Sequence, residues 1–311
     1  MRLIRGTQGS RLPLVRGCVA TIGNYDGMHL GHRMVIDALN AAAWGVNLPS
    51  LVILFEPQPN EYFGFATNQR LTSLREKLSL LEQWGVDIIL LLRFNHSLSL
   101  LKAEEFVKAI LIDRLHIAHL IIGDDFALGH EKKGDFAALS HIAEVHNFSL
   151  TRLESFKLDS IRISSSLIKL KIAVTNDVTQ IAKFLGRDYA IIGRVIHGKQ
   201  FGRILGFPTA NINLGSRRLP FGGVYLVKVT GLTNELYGIA NLGVRPTFSF
   251  GTSQSLEVHL LDFNGNIYGK ILKIEFLNKI RDEKKFASPE ELQRQISSDL
   301  VTARSFLISL V

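Results

Sequence analysis

The stretch Gly23-Asn24-Tyr25-Asp26-Gly27-Met28-His29-Leu30-Gly31-His32 decides how the first half of this chain is read. An apolar run, Cys18-Val19-Ala20-Thr21-Ile22, precedes it. Met34, Ile36, Leu39 and Ala42 follow at helical spacing, up to Gly45. A strand, a turn held open by glycines and a helix start make a seat for an anion, because the first backbone N–H groups of a helix have no partner within it. His29 and His32 stand three residues apart, so a first helical turn that includes both points them to the same side. Two imidazoles at the mouth of a phosphate-sized nest suit stabilisation of charge on a phosphate under attack. A histidine pair on its own is more often polar decoration or an adventitious metal site than a catalytic pair. No lysine of the G-x-x-x-x-G-K type is present, which disfavours an ordinary P-loop.

Outward from this turn the chain alternates. Strand-like runs at Cys18–Ile22, Ser50–Phe55, Val86–Leu92, His119–Ile122 and Ser149–Glu154 are separated by helical patterns at Thr72–Trp84, Ala103–Leu115 and Asp135–His146. Such alternation predicts a doubly wound parallel sheet, whose ligands bind beyond the carboxyl ends of its strands. Chemistry-bearing clusters recur at that edge: the glycine–histidine turn, then Phe55-Glu56-Pro57-Gln58-Pro59, then Gly123-Asp124-Asp125-Phe126 with the loop Gly129-His130-Glu131-Lys132-Lys133-Gly134. Three clusters on one edge favour a composite site. Ile163-Ser164-Ser165-Ser166 and Lys169 offer hydroxyls and a cation, either as phosphate contacts or as an ordinary helix cap. A short helix, Asp177–Leu185, ends at Gly186.

After Gly186 the grammar changes to strands without intervening helices: Tyr189–Ile196, Val224–Val229, Leu236–Asn241, Leu256–Phe263 and Ile271–Leu277. This predicts a sandwich or small antiparallel barrel. A closing helix begins with Ser288 as cap, Pro289 at its first position and Glu291 completing a capping box; Leu292, Ile296, Leu300 and Phe306 form its inward face. The chain thus divides into residues 1–170, a helical linker 171–186, and residues 187–311. In the second part, Gly198-Lys199-Gln200-Phe201-Gly202-Arg203 is a glycine-punctuated basic loop suited to lying over phosphates. Thr209 and Asn211 carry hard oxygen ligands of the kind a magnesium–nucleotide accepts. Glu257 stands within a strand, either as an outward-facing alternate residue or as a general base.

Composition narrows the classes. The 311 residues suffice for two cores. A single cysteine, Cys18, excludes an intramolecular disulfide framework and a multi-cysteine metal site, and fits a reducing, cytoplasmic setting. Met1–Arg16 lacks the sustained apolar core of a signal peptide, and no apolar run is long enough to span a bilayer. The net charge of +8 suits polyanionic ligands, either nucleotides or nucleic acid. The positive residues are dispersed rather than gathered on one tail, and no RNA-reading aromatic motif accompanies them, which favours nucleotides.

With both constellations in view, the chain resembles the bacterial bifunctional riboflavin kinase/FMN adenylyltransferase (FAD synthetase) family. The resemblance rests on Gly23–His32, Phe55-Glu56-Pro57, Arg70-Leu71-Thr72 with Glu76-Lys77, and Gly123-Asp124-Asp125-Phe126. In the second half it rests on His197-Gly198 through Gly202-Arg203, Leu205–Asn211, Gly223-Val224-Tyr225, Asn241–Thr247, Glu257-Val258-His259 and Ile280-Arg281. It implies a Rossmann-like nucleotidyltransferase domain followed by a small antiparallel β-barrel kinase domain with a closing helix. It also implies two ATP-dependent steps, riboflavin to FMN and FMN to FAD with release of pyrophosphate, with Mg2+ accompanying ATP. By resemblance, Glu257 is the base of the kinase step, and His29 and His32 stabilise charge in the adenylyl step. Gly23, Asn24, Asp26, Gly27, Ser164, Ser166, Lys169, Gly198, Lys199, Gly202 and Arg203 face ATP or its phosphates. Asp125, Phe126 and Arg281 face flavin, and Thr209 and Asn211 face the metal. The expected partners are the small molecules ATP, riboflavin, FMN and FAD, with neither nucleic acid nor membrane.

Some positions depart from the family pattern. Ala127 and Leu128 stand where the family usually shows Arg then Phe. Ser166 and Lys169 stand where it shows Thr and Arg, and a lysine lacks the bidentate fork of arginine. Two other readings follow: a riboflavin kinase with weak or lost adenylyltransferase activity, and, from the charge, a basic RNA-binding protein. For Tyr25, Phe126 and Tyr225, the choice lies between flavin stacking and core packing, and core packing is favoured for each.

Overall fold

The computed structural model describes residues 1–6, 17–65, 69–198, 201–246 and 252–309. Lys199, expected over phosphates, and Thr247 of the Asn241–Thr247 motif lie outside the described residues. The chain forms two compact units, residues 1–67 with 77–164, and residues 68–76 with 165–311.

The first unit is built on six parallel strands: β1 (Arg2–Arg5), β2 (Cys18–Ile22), β3 (Ser50–Glu56), β4 (Ile88–Arg93), β5 (Ile117–Gly123) and β6 (Ser149–Leu153). Their order is β1-β4-β3-β2-β5-β6. Every residue of β2 is buried, as are the first five of β3 and of β4. Strands covered on both faces read as continuous apolar runs. The chain moves from β2 to β3 on one side and later returns to β5 on the other, so the direction of winding reverses between β2 and β5. That crevice is where ligands enter open α/β sheets. β1 was not expected. Only Ile4 of Arg2-Leu3-Ile4-Arg5 is buried, and the arginines at its two ends suit an edge strand. The helix after β2 runs Leu30–Gly45 and buries Ile36, Leu39 and Ala43.

A short hairpin, β7 (Lys157–Leu158) and β8 (Ile161–Arg162), precedes the second unit. Six strands then close a barrel: β9 (Tyr189–Ile196), β10 (Ala210–Ile212), β11 (Gly223–Thr230), β12 (Leu236–Pro246), β13 (Thr252–Leu260) and β14 (Ile271–Arg281). Neighbours run β10-β13-β12-β11-β14-β9 and back to β10, in antiparallel pairs. Alternation is plain in β9, where Tyr189, Ile191, Gly193 and Val195 are buried and their neighbours are not. Of the two all-β forms the sequence allows, the barrel is found, completed by three-residue β10 inside the segment read as a ligand-bearing turn. Helices Ser165–Thr175 and Val178–Leu185 belong to this unit.

The closing helix, Pro289–Ser309, starts as its cap predicts: Ser288 Oγ accepts from the Glu291 N–H. The Glu291 carboxylate reaches back to Ala287 N–H, one residue before the cap. Leu300 and Phe306 pack against a cluster of Val224, Leu226, Ile239 and Ala303. Asp299 on the same helix is also buried and takes the Arg281 guanidinium through three hydrogen bonds of 2.8 to 3.1 Å. The segment 68–76 joins this unit through its own polar core. The Tyr189 hydroxyl donates to Leu71 O at 2.6 Å. The buried Glu76 carboxylate accepts from Arg217 at 2.6 and 3.1 Å, from Ser73 N–H at 2.7 Å and from Ile192 N–H at 2.8 Å.

Candidate functional site

Gly23–His32 leaves the carboxyl end of β2, and Gly123–Phe126 leaves the neighbouring end of β5. Sequence clusters 100 residues apart therefore meet at the crevice where the sheet reverses. His29 caps the helix: its Nδ1 accepts the His32 N–H at 3.3 Å. The two imidazoles lie face to face, with centroids 3.7 Å apart and planes inclined by 18°. Because Nδ1 of His29 is an acceptor, the proton of a neutral His29 sits on Nε2. Gly31 allows this arrangement, since a Cβ there would stand 3.2 Å from the His29 ring.

The turn holds unusual backbone. Tyr25 and Met28 have φ of 47°, and Gly27 has φ of 83°. Left-handed geometry at a tyrosine and a methionine persists only where the surroundings enforce it. Tyr25 is buried, its hydroxyl 2.7 Å from Thr21 Oγ1, and burial pushes its phenol well above the usual range. Gly23 is required there, because a Cβ would meet the Tyr25 ring at 2.8 Å. Tyr25 is thus a core residue that shapes the turn. Asp26 and His29 are buried too, and Asn24 Oδ1 is buried without a hydrogen-bond partner among the described residues.

Just past β5, Asp124 accepts from Ser155 Oγ at 2.7 Å. That bond above all, with Arg162 nearby, holds its carboxyl below the ordinary carboxylate range. Asp125 is exposed and meets Arg162 at 2.8 Å. Phe126 is half-buried against the sheet core rather than displayed. Leu128, one of the departures, is 6% exposed and also belongs to that core, so an apolar side chain of either shape serves there. The glycines of the Gly129–Gly134 loop have a packing reason. A Cβ on Gly129 or Gly134 would meet Ala103 at 2.5 or 2.4 Å. Ser164 precedes the helix that contains Ser166 and Lys169; Ser166 is exposed and Lys169 half-buried.

Sequence reasoning passed over one feature of this edge. Past β3 and β4, Tyr62, Phe63 and Phe94 form an edge-to-face cluster with Phe55, centroids 5.3 to 5.8 Å apart. Tyr62 is 39% and Phe63 50% exposed. The signal was there: three aromatic rings within four residues at Tyr62, Phe63 and Phe65, directly after the loop with two prolines.

The barrel brings together its own set. Register places Asn211 of β10 opposite Glu257 of β13, and Glu257 opposite Asn241 of β12. Leu256, Val258 and Leu260 are buried while Glu257 is half-buried, so the carboxylate faces outward from the barrel within a polar row. The Thr209 hydroxyl lies 3.4 Å from Glu257 Oε2. His259 Nδ1 lies 2.8 Å from Pro208 O, which anchors the turn carrying Thr209. Two glycines have steric roles. A Cβ on Gly198 would strike the Asn211 amide at 2.3 Å, and one on Gly202 would strike Phe207 O at 2.5 Å. Arg203 is exposed on the short helix Phe201–Ile204. Arg281, expected at flavin, is engaged by Asp299 and lies over the Phe286 ring at 5.7 Å. Tyr225 is fully buried, its hydroxyl donating to Gly222 O at 2.9 Å.

Comparison with known proteins finds a family match for each half of the chain. Residues 13–167 match the FAD synthetase family and residues 185–307 the riboflavin kinase family. A bifunctional riboflavin kinase/FMN adenylyltransferase of Haemophilus influenzae is 45% identical over 99% of this chain and 100% of its own length. One from Escherichia coli K12 is 43% identical over 98% of each. A solved structure from Streptococcus pneumoniae, described as a macrolide-efflux protein, superposes with a TM-score of 0.81 at 28% identity, covering 98% of this chain and 99% of that one. Among the described residues no helix is long and apolar enough to cross a membrane. Two family matches in tandem, and relatives alike from end to end, place the chain in the family of bifunctional riboflavin kinase/FMN adenylyltransferases.

Proposed function

We propose that the first unit carries out adenylyl transfer and the barrel carries out the kinase step, each with the residues assembled above. The observation that carries the reading is the stacked His29–His32 pair on the turn at the sheet's reversal point. In the first unit a phosphate oxygen of FMN attacks the α-phosphorus of ATP, a new P–O bond forms, and pyrophosphate leaves. The substrate supplies its own nucleophile, so the protein's task is positioning and charge stabilisation. The Nε2–H of His29 donates to the phosphate oxygens on which charge accumulates, with His32 beside it. The turn Gly23, Asn24, Asp26 and Gly27 seats the nucleotide, with Ser164 near it as a further phosphate contact. The exposed faces of Tyr62 and Phe63 receive the flavin ring near Asp125, and Phe126 supports that loop from the core.

In the barrel, Glu257 takes the proton of the ribityl hydroxyl as its oxygen attacks the γ-phosphorus of ATP and ADP leaves. Gly198, Gly202 and Arg203 lie along the phosphates. Thr209 and Asn211 are hard oxygen donors beside a single carboxylate, a set that fits Mg2+ arriving on its nucleotide rather than a resident ion in an all-protein cage. Magnesium would neutralise charge on the transferring phosphoryl group.

The direct test is His29→Ala in the full chain, given riboflavin, ATP and magnesium. FMN forms at the normal rate, and FAD formation falls about 100- to 1000-fold, the usual effect of losing one transition-state donor. Unimpaired FAD formation would remove the histidine pair from the mechanism.

A further inference from the structure

The pair Glu76-Lys77 belongs to the motifs that carry the family resemblance, yet the chemistry above leaves Lys77 unused. Lys77 is only 3% exposed. A buried ammonium is costly unless it is committed to a partner. Its Nζ donates to the backbone carbonyl of Asn24 at 2.7 Å, spanning 53 positions of sequence to the start of the nucleotide turn. That turn passes through left-handed backbone at Tyr25, Gly27 and Met28, and such conformations need external support. The Thr21–Tyr25 hydroxyl pair supports one side of it. The ammonium supports its entry, and it covers the negative end of a peptide group that would otherwise oppose an incoming triphosphate.

We infer that Lys77 is a positioning residue for adenylyl transfer: by fixing the Asn24 carbonyl it aligns the turn's N–H groups and the His29–His32 pair for the ATP phosphates. This rests on the reading of the turn as the adenylyl site. Its test therefore begins with the unaltered chain, supplied with FMN and ATP. Absence of FAD there would remove that reading and would say nothing of Lys77.

With FAD formation in hand, Lys77→Met, Lys77→Gln and Lys77→Arg are compared in the full chain, with thermal melting and FMN production from riboflavin as controls. Met keeps the length and apolar stem, Gln keeps a donor without charge, and Arg keeps both charge and donor. The expected result for Met and Gln is normal melting and normal FMN production. In the second step KM for ATP rises about tenfold or more and kcat falls about 10- to 100-fold, the scale of an ångström-level misplacement. Arg recovers KM for ATP to within about threefold. A merely structural lysine would move melting and leave the ATP dependence of folded protein unchanged. Wild-type KM and kcat in folded Met or Gln variants would overturn the proposal. If Met fails to fold, wild-type kinetics in the folded Gln variant would overturn it equally.

Discussion

Tyr62 and Phe63 are large apolar side chains left half open to solvent at the ligand edge of the sheet, and the proposed function has them receive the flavin ring. A stacked or edge-on ring contributes about 0.5–1.5 kcal/mol beyond area burial. Phe63→Ala should therefore raise KM for FMN in the adenylyl step roughly 3- to 10-fold and leave FMN production untouched. Equal KM in steady-state assays would place the flavin elsewhere. At this scale the sequence was only partly legible. His29 and His32 could be singled out by their spacing but not their stacking, because His29 is the extended cap ahead of the helix rather than part of its first turn, and its ring is held by the His32 N–H. Glu257 could be named, and even its outward register is the one an alternate position implies. Arg281 could be named but not its engagement, because Asp299 lies 18 residues on and reveals itself only when helix and strand meet. Lys77 was visible within a motif but had no role, since its partner is a backbone carbonyl and carbonyls leave no trace in sequence.

Among the elements, the segment 68–76 shows what pattern reading misses. Its periodicity predicts a helix start, and a helix over Leu74–Gln83 is found. Its allegiance comes instead from a buried ion pair 141 residues apart in sequence, with Glu76 and Arg217 both almost wholly enclosed. Removing one partner of such a pair leaves an uncompensated charge and typically costs about 3–5 kcal/mol. Glu76→Ala should thus lower the stability of the second unit by that order in urea unfolding. The double replacement Glu76→Met with Arg217→Met should recover much of the loss, because a packed apolar pair is often no worse than a buried ionic one. A cost below about 1 kcal/mol for Glu76→Ala would show that water reaches the pair. Strands were easier to foresee where both faces are covered, as in β2 and β3. They were harder at the edge, where β1 is short and charged, and in β10, whose three residues fall below the length at which alternation can be recognised.

For the molecule as a whole, two unlike folds in tandem were legible because a parallel sheet and an antiparallel barrel leave different grammars, the first punctuated by helices and the second by turns. The boundary was less so. Residues 171–186 read as a linker after a first domain ending at 170, whereas the helices from Ser165 to Leu185 cluster with the second unit, burying Ile168, Ile172, Ile181 and Phe184. Under the proposed function each unit performs one chemical step with its own residues. This division of labour is checked with two full-length variants, His29→Ala and Glu257→Gln, with flavins resolved over time from riboflavin, ATP and magnesium. Alone, His29→Ala should stop at FMN and Glu257→Gln should leave riboflavin unconverted. Mixed, they should produce FAD. A mixture that accumulates FMN without FAD, or a Glu257→Gln variant that still phosphorylates riboflavin at the normal rate, would contradict the account.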